Sequence, residues 1–417
     1  GKSILFENAI TQSNWTLPSL YALISGRYPM VFNISWFDQT INKRFTVLPE
    51  LLATTGYHTA IFSNFEILLN PMSFAGHFRE REFVELNDNA LRTYRNFLSK
   101  QNDSLLLFHI GEYVHEPFKA ERKYVQHFLD DPETEIHSET IRTLTTIGSE
   151  DNLRKLMGKI NKRLLRINRK ELRYLLASYD AGIFCVDKYV GELYSICREM
   201  SDDYLFIITA DHGQAFLEHS IFGHGVSLYN EVVDVPLILD FNNSPHAKIS
   251  PPVQHIDLFP TLIDLLGYKR DFDLDGQTYL HLLQGGDANA DMEDRIAISE
   301  GYPHVMIRDK DYKLISSYSK FLDSAFVRTY FNSHGRTRSL KKDMISTLMR
   351  YLPDRLYDMK MDNGESANVW RKRKDSYRAL KLKLDRIVTK AMEDRLPPDM
   401  VNLDNEIMNQ LKMLGYL

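Results

Sequence analysis

An aspartate and a histidine follow directly after an apolar run in the middle of the chain. Tyr204–Thr209 is apolar and predicts a strand, and Asp211, His212 and Gly213 come just after it. Asp and His are good ligands for a divalent cation, and the glycine lets the backbone turn sharply behind them. Open parallel sheets bind ligands at the carboxyl ends of their strands, so this position favours a metal site. Alone, the pentapeptide is only moderately specific, because Asp-His pairs also occur in surface loops.

Two further histidines follow in the same segment. His224 stands between Gly223 and Gly225, so its backbone is approachable and its ring is suited to contact an oxyanion. His219 lies five residues earlier. It could join the same site or a second metal, and the sequence does not decide between these roles and a structural one.

The elements that must position these residues alternate along the chain. Short apolar runs are separated by longer helical stretches, which predicts an α/β fold with a mostly parallel sheet flanked by helices. The predicted strands are Thr59–Ser63, Ser104–His109, Tyr204–Thr209 and Pro236–Leu239, and the predicted helices are Pro18–Ser25, Thr46–Thr54, Ala90–Lys100, Glu171–Met200 and Ile256–Leu266.

Two regions depart from that alternation. Residues 119–175 are rich in Lys, Arg and Glu and predict a helical insertion, which is either a lid or partner surface or a solvated helical pair. After Gly267, three short strands predict a small antiparallel sheet followed by a terminal helix and tail. These strands are Ile296–Glu300, Val305–Ile307 and Tyr312–Ile315. We therefore expect two domains, residues 1–285 and 286–417.

Composition narrows the class of protein. The 417 residues are 43% hydrophobic and 26% charged, as in ordinary soluble globular proteins. The net charge of -5 gives no reason to expect nucleic acid or an anionic membrane as partner. Every apolar run is far shorter than the roughly 20 residues that span a bilayer, so we expect no transmembrane segment. No signal peptide is visible and the start looks internal, which leaves the compartment unknown with a cytoplasmic location slightly favoured.

Cysteine usage is sparse. Cys185 and Cys197 are the only two cysteines and fall in one predicted helix. A disulfide between them would require the helix to break, since a rise of about 1.5 Å per residue holds them far apart. We expect both to be structural thiols.

Four stretches, in order, resemble the sulfatase family of the alkaline phosphatase superfamily. The first runs from Phe6 to Pro29 and is similar to the family's nucleophile segment. The second is TADHGQAFLEHSIFGHGVSLYNEVVDVPLIL, and the third is HIDLFPTLIDLLG with Asp275 and Gly276. The fourth comprises RLYDMKMDNGES and the terminal QLKMLGYL. The resemblance implies an alkaline-phosphatase-like fold with a small C-terminal α+β subdomain, so that residues 1–285 would be the catalytic domain.

The nucleophile position departs from the family pattern. Sulfatases carry Cys or Ser, oxidised to formylglycine, at the start of Cys-x-Pro-Ser-Arg, whereas this chain has Thr16 there and Leu20 in place of the Arg. Threonine cannot become formylglycine, so the resemblance favours phosphoester chemistry. Thr16 at a helix N-terminus, bound to a metal, would lose its hydroxyl proton and attack phosphorus. The alternative interpretation is that Thr16 only caps the helix that contains Pro18.

The resemblance also implies the remaining site residues. Asp211, His212 and Thr16 would bind a divalent metal ion, which could be calcium, manganese, magnesium or zinc. His224 would hold the anionic group of the ester. His115, in the segment Tyr113–Pro117, is similar to the histidine that contacts substrate in the family, with a loop-packing histidine as the alternative.

Two absences support the alternative of a catalytically inactive relative, and the first of them also weakens the case for sulfate esters. The family's Lys-x-His substrate pair is missing around Ser63, so fewer cationic groups face the ester. Family members begin with a strand that carries the first metal-ligand aspartates, and this chain starts after it.

The function predicted is a sulfatase-like, metal-dependent hydrolase of sulfate or phosphate esters. Its substrate would be a small molecule or a glycan- or lipid-linked ester. The alternatives are a phosphoglycerol- or phosphoethanolamine-type transferase and a catalytically inactive scaffold of the same fold. A nucleic-acid enzyme is weakly supported, because no basic stripe with stacking aromatics stands out. The sequence does not indicate an oligomeric state.

Overall fold

The computed structural model describes residues 3–34, 37–100, 103–132, 138–145, 150–269, 271–286, 294–301, 303–318, 353–401, 403 and 408. The chain forms two compact units. The first unit consists of Gly1–Leu48, Leu205–His219 and Gly223–Met400, and the second of Pro49–Tyr204, Ser220–Phe222 and Val401–Leu417. The domain boundary expected at residue 285 stays a prediction.

Strands and helices alternate along most of the chain. The strands are β1 (Ile4–Ile10), β2 (Gln39–Thr40), β3 (His58–Ser63), β4 (Glu80–Phe83), β5 (Ser104–His109), β6 (Leu205–Thr209), β7 (Ala215–Phe216), β8 (Phe222–Gly223), β9 (Asp234–Phe241), β10 (Ala247–Ile249), β11 (Val253–Gln254), β12 (Ala297–Gly301), β13 (His304–Arg308), β14 (Tyr312–Ser317), β15 (Arg355–Asp358) and β16 (Asp399–Met400). The helices are α1 (Thr16–Ser25), α2 (Pro29–Phe32), α3 (Leu48–Thr54), α4 (Asp88–Leu98), α5 (Arg122–Val125), α6 (Glu139–Thr145), α7 (Glu150–Asn161), α8 (Arg169–Met200), α9 (Asn230–Val233), α10 (Leu258–Leu265), α11 (Leu280–Leu283) and α12 (Lys374–Glu393).

A five-stranded mixed sheet forms the centre of the first unit. Its order is β10-β1-β9-β6, with β11 also paired to β1. β1 runs parallel to β10 and β11, whereas β9 runs antiparallel to both β1 and β6. Apolar side chains from these strands form a core with those of α11, in which the rings of Phe6 and Tyr279 lie 4.9 Å apart. The antiparallel direction of β9 is a feature that strand-helix alternation does not predict.

β6 is an edge strand of this sheet among the described residues. It pairs with β9 only, and its residues Leu205–Thr209 are all half-buried. A strand whose two faces are both apolar normally lies inside a sheet, with a neighbour on each side. The residues that follow β6 therefore leave the sheet from its edge.

The second unit has its own parallel sheet. β3 lies between β4 and β5, and all three strands run in the same direction. The predicted insertion at residues 119–175 contains the helices α5, α6, α7 and the start of α8. Cys185 and Cys197 both lie on α8, where they are half-buried and no disulfide joins them. The described residues contain no helix that combines the length and the apolar character needed to cross a membrane.

The C-terminal strands form the expected small antiparallel sheet within the first unit. Its order is β12-β13-β14-β15, with every neighbouring pair antiparallel. The long helix α12 contributes a buried stripe of Leu380, Leu384 and Val388 at the helical spacing of about four residues.

One histidine of this sheet should make the protein acid-sensitive. Burial, together with the nearby Arg355 guanidinium, lowers the pKa of His304 to about 4. The unfolded chain, with a histidine pKa near 6.5, binds a proton between pH 6.5 and 4 that the folded state does not bind. The free energy of unfolding therefore decreases as the pH is lowered through that window. His304 accounts for a decrease of about 2 kcal/mol between pH 7 and pH 5. Urea unfolding of His304→Gln at both pH values should show a smaller decrease than the wild type; an equal decrease would contradict the buried neutral ring.

Candidate active site

Two hydroxyl groups from the N-terminal part of the chain fix the backbone carbonyl of Asp211. Thr11, just after β1, and Ser19, in α1, each donate a hydrogen bond of 2.5 Å to the Asp211 backbone oxygen. The two hydroxyl oxygens are also in contact with each other, and because each carries a single proton, a hydrogen bond between them would replace one of the bonds to the Asp211 oxygen. These bonds bring the start of α1 against the residues that follow β6.

Gly213 allows the backbone to pass close to a neighbouring loop. Its N–H donates to the Val232 carbonyl at 2.8 Å. A Cβ atom at position 213 would lie 2.3 Å from the Glu231 carbonyl oxygen, which no side chain could tolerate without moving backbone. The glycine predicted to permit a turn therefore serves mainly to permit this close approach.

Thr16 is the first residue of α1, and its side chain does not cap the helix. The N-cap residue is Trp15, which has extended backbone angles and makes no side-chain capping bond. Thr16 is 3% exposed, and its Oγ1 lies 3.2 Å from Nε2 of His212. The hydroxyl is thus placed at the positive end of a ten-residue helix, beside the imidazole.

Nε2 of His212 lies close to both the Thr16 hydroxyl and the Asp211 carboxylate. Nδ1 of His212 lies 2.9 Å from the Gly213 carbonyl, so we assign its proton there, which leaves the Nε2 lone pair facing Thr16. Nε2 is also 3.5 Å from Oδ2 of Asp211. A histidine that donates from its other nitrogen to a backbone carbonyl is the usual arrangement of a metal ligand. This set of hydroxyl, imidazole and carboxylate therefore fits a divalent metal ion.

His224 lies beside this group in the first unit. Its ring centroid is 4.4 Å from that of His212, and its Nδ1 is 2.9 Å from the Gln214 side-chain carbonyl. The loop is held by a bond from the Gly225 N–H to the carbonyl of Asn14, two residues before Thr16. Hydrogen bonding to Gln214 places the proton on Nδ1 and directs Nε2 to other partners.

A buried histidine supports the end of β6. Nε2 of His255 is 2.7 Å from the hydroxyl of Thr209, the last residue of the strand. Burial lowers the pKa of His255 to about 4, so the ring is neutral. Asp257, two residues on, is also buried and pairs with Arg295 at 3.0 Å, and burial raises its pKa to about 6 despite that partner. No sequence pattern indicated His255 as a support for the end of β6, or Asp257 as the buried partner of Arg295.

The other two predicted histidines each make contacts within their own unit. His115 belongs to the second unit, where its Nδ1 lies 2.7 Å from the Glu116 carbonyl and its ring 5.7 Å from that of Phe65. His219 stacks on Tyr229 with ring centroids 3.6 Å apart. Its Nδ1 is 2.8 Å from a Glu231 carboxylate oxygen, so His219 belongs to a polar network behind the loop. Within the first unit, the structure thus brings Thr16, Asp211, His212 and His224 together.

That network contains a fully buried ion pair that the sequence did not reveal. Lys313 of β14 lies 2.9 Å from Glu365, and both side chains are 0% exposed. Glu365 accepts a 2.6 Å hydrogen bond from the backbone N–H of Asn230, and Lys313 donates to the Asn230 side chain at 2.8 Å. Asn230 begins α9, whose Val232 carbonyl accepts from Gly213. The C-terminal strands therefore hold the helix against which the Asp-His-Gly turn rests.

Removing one partner of this pair should be costly. Lys313→Met leaves the Glu365 carboxylate buried without its cation, and we expect the free energy of unfolding to fall by about 3 to 5 kcal/mol. Urea denaturation followed by circular dichroism measures this change. The double variant Lys313→Met/Glu365→Leu should recover part of the loss, because it removes both charges.

An exposed ion pair provides the control. Arg95 and Glu199 lie 2.7 Å apart with 42% and 62% of their side chains exposed. Arg95→Met should cost less than about 1 kcal/mol. Equal effects of the two substitutions would show that the Lys313–Glu365 pair is not the buried support described above.

Comparison with known proteins identifies the family. The sequence model of the sulfatase family matches residues 2–268. An ulvan-active sulfatase from Formosa agariphila is 29% identical over 130 residues, which cover 29% of this chain and 24% of that protein. The chain spans between 19% and 24% of the length of the first curated relatives that it matches.

Solved structures show the same fold over nearly the whole chain. A protein in complex with its substrate D-glucosamine-2-N,6-O-disulfate has a TM-score of 0.66 and 16% identity, and the match covers 95% of this chain and 92% of that one. The phosphonate monoester hydrolase of Agrobacterium radiobacter has a TM-score of 0.64 and 17% identity, with coverage of 96% and 93%. The alkaline-phosphatase-like α/β fold predicted from sequence is confirmed, and the chain belongs to the sulfatase family.

Proposed function

We propose that the protein is a metal-dependent hydrolase of anionic esters, with Thr16 as nucleophile and a preference for phosphate over sulfate esters. The observation that carries this proposal is the position of the Thr16 hydroxyl, 3.2 Å from His212 at the N-terminus of α1. A threonine there cannot supply the aldehyde hydrate that sulfate-ester cleavage uses in the family, but its alkoxide can attack phosphorus.

Three side chains would hold the metal and orient the nucleophile. Asp211, His212 and Thr16 supply the donors, and a divalent cation bound to them would lower the pKa of the hydroxyl and offset negative charge on the ester. The N-terminus of α1 adds a partial positive charge beside Thr16. The buried hydroxyls of Thr11 and Ser19 keep the Asp211 backbone in place, so little reorganisation is needed during the reaction.

Two histidines would act on the ester oxygens. In the proposed reaction, Oγ1 of Thr16 forms a bond to phosphorus while the bond from phosphorus to the alcohol oxygen breaks. The Thr16 proton is lost to solvent. The His224 ring, protonated on both nitrogens and held at Nδ1 by Gln214, donates its Nε2 proton to the departing oxygen, and water later hydrolyses the threonine ester. We propose that His115 contacts the anionic oxygens, as its position in the sequence pattern implies.

The substrate class we propose is an ester carried by a saccharide. One relative is named for activity on ulvan, and one structural neighbour holds D-glucosamine-2-N,6-O-disulfate as its substrate. A glycan-linked phosphate or sulfate is therefore the first class to assay. Transfer of the phosphoryl group to an alcohol instead of water would use the same Thr16 ester.

A paired ester assay tests this function. The protein is incubated with 4-nitrophenyl phosphate, the corresponding phosphodiester and 4-nitrophenyl sulfate, with manganese, calcium, magnesium or zinc added, and with chelator as the control. We expect release of nitrophenol from a phosphate ester that disappears on chelation. Faster cleavage of the sulfate would refute the preference argued from Thr16, and silence on every ester by a folded, metal-loaded protein would favour the inactive scaffold.

A further inference from the structure

We propose that the turn between α7 and α8 binds a linear saccharide chain that carries repeated sulfate or phosphate groups. We call residues 159–170 the basic turn. Its sequence, KINKRLLRINRK, has six cationic residues and no acidic one, in a protein whose net charge is -5. This inference rests on the proposed function for the class of polymer and adds a binding surface outside the reacting groups.

The charges of the basic turn are directed to solvent. All six cationic residues are exposed, and none forms an ion pair within 4.0 Å with a described residue; they are Lys159, Lys162, Arg163, Arg166, Arg169 and Lys170. The neighbouring Arg173, by contrast, is paired with Asp130 at 2.9 Å. Arg169 acts on Asp130 only from beyond salt-bridge distance. Cations this close together repel one another, and a polyanion would relieve that repulsion.

Helix formation does not explain two of these cations, although it does favour Lys159, which lies in the last turn of α7. Arg169 and Lys170 occupy the first two positions of α8, a 32-residue helix, where the helix dipole disfavours positive charge. The helix start is stabilised instead by a capping box, in which Asn168 and Glu171 exchange hydrogen bonds of 2.9 and 3.0 Å. The two cations therefore contribute nothing to starting this helix.

The basic turn is a fixed structure in the second unit. Arg163 has a positive φ of 57°, and the Leu164 N–H bonds back to the Lys159 carbonyl at 2.9 Å, which closes the end of α7. Asn161 forms two hydrogen bonds with the backbone of Phe222, at 2.7 and 3.0 Å. A preformed surface loses less conformational entropy when it binds a polymer.

The side chains favour a saccharide over a bilayer or a nucleic acid. Leu164 is the one large apolar side chain of the turn that is well exposed, at 74%, while Leu165 and Ile167 are half-buried. A single leucine offers too little apolar surface for stable membrane anchoring. The turn has no aromatic residue on which bases could stack. Charge without stacking or insertion suits a hydrophilic polymer of anionic sugars.

A matched pair of triple variants tests the proposal. Lys162→Gln/Arg166→Gln/Lys170→Gln neutralises the turn, and Lys383→Gln/Arg386→Gln/Lys390→Gln removes the same three charges from exposed positions on α12. Binding of a size-defined heparin octasaccharide is measured at several salt concentrations. The turn variant should bind about tenfold more weakly, and its slope of log affinity against log salt should fall by about two. The α12 variant should stay within about twofold of the wild type.

Each alternative occupant has its own arm of the experiment. Vesicles of phosphatidylcholine and phosphatidylserine and an oligothymidylate replace the octasaccharide. Three results would overturn the proposal. They are an equal loss of octasaccharide affinity in the two variants, no octasaccharide binding by the wild type, and a loss of affinity only for vesicles or oligothymidylate. Turnover of 4-nitrophenyl esters should be unchanged in both variants. One result would separate the two proposals. If the protein cleaves no ester but the turn variant still selectively loses octasaccharide binding, the proposed function is refuted and saccharide binding by the basic turn is supported.

Discussion

Replacement of Thr16 by alanine is expected to reduce turnover of the preferred ester by about 10⁴-fold or more, as loss of a covalent nucleophile does in other enzymes. The reason is geometric: Thr16 Oγ1 is the hydroxyl beside His212 at the N-terminus of α1. Without it, the metal site and histidines have no side-chain oxygen to form the ester intermediate. Steady-state kinetics on 4-nitrophenyl phosphate with saturating metal measure the loss.

The serine variant separates a nucleophile from a packing role. Thr16→Ser keeps the hydroxyl and removes only a buried methyl group, so it should retain turnover within about 10- to 100-fold of the wild type. Both variants should unfold at nearly the wild-type temperature, because no capping bond is lost at Thr16. Unchanged kcat/KM in Thr16→Ala would make the residue an ordinary helix-start residue.

Replacement of Asp211 by alanine is expected to abolish metal binding without unfolding the protein. The side chain supplies the one carboxylate among the three donors, and removing it leaves a neutral imidazole and a hydroxyl, a weak set for a hard divalent cation. The backbone carbonyl that Thr11 and Ser19 hold is retained in the variant. Calorimetric titration with manganese measures the affinity, and a thermal melt measures stability.

An exposed aspartate nearby is the control for that titration. Asp202 lies three residues before β6 and is solvent-exposed. Asp202→Ala removes the same charge from the same segment and should bind metal as the wild type does. Full metal stoichiometry in Asp211→Ala would contradict the ligand assignment.

Elements with a strong local pattern could be predicted from sequence. Ser104–His109 is found at its predicted bounds, and β6 and α8 are found within two residues of theirs, because apolar runs and helical spacing are local signals. β1 was not predicted. Its sequence ILFENAI places Glu7 and Asn8 inside the strand, where a register shift between Phe6 and Ala9 interrupts the pairing.

The sequence predicted which residues belong to the candidate site, but not the contacts that hold them in place. The resemblance placed Thr16 and Asp211 in one site, and the structure shows that Thr11 and Ser19 make the connection. The Lys313–Glu365 pair gave no signal, since two charged residues on separate elements look like surface residues until the fold buries them. Long-range polar pairing depends on tertiary structure, which local patterns do not encode.

A covalent intermediate on Thr16 would be the strongest evidence for its role as nucleophile. The metal-loaded protein is mixed with an excess of 4-nitrophenyl phosphate, quenched in acid within the first turnovers, digested and analysed by mass spectrometry. We predict one phosphoryl group on the peptide that contains Thr16, and none in Thr16→Ala or in the presence of chelator. Sustained phosphate turnover by the wild type, with that peptide unmodified and with Thr16→Ala equally active, would contradict the assignment of Thr16 as nucleophile.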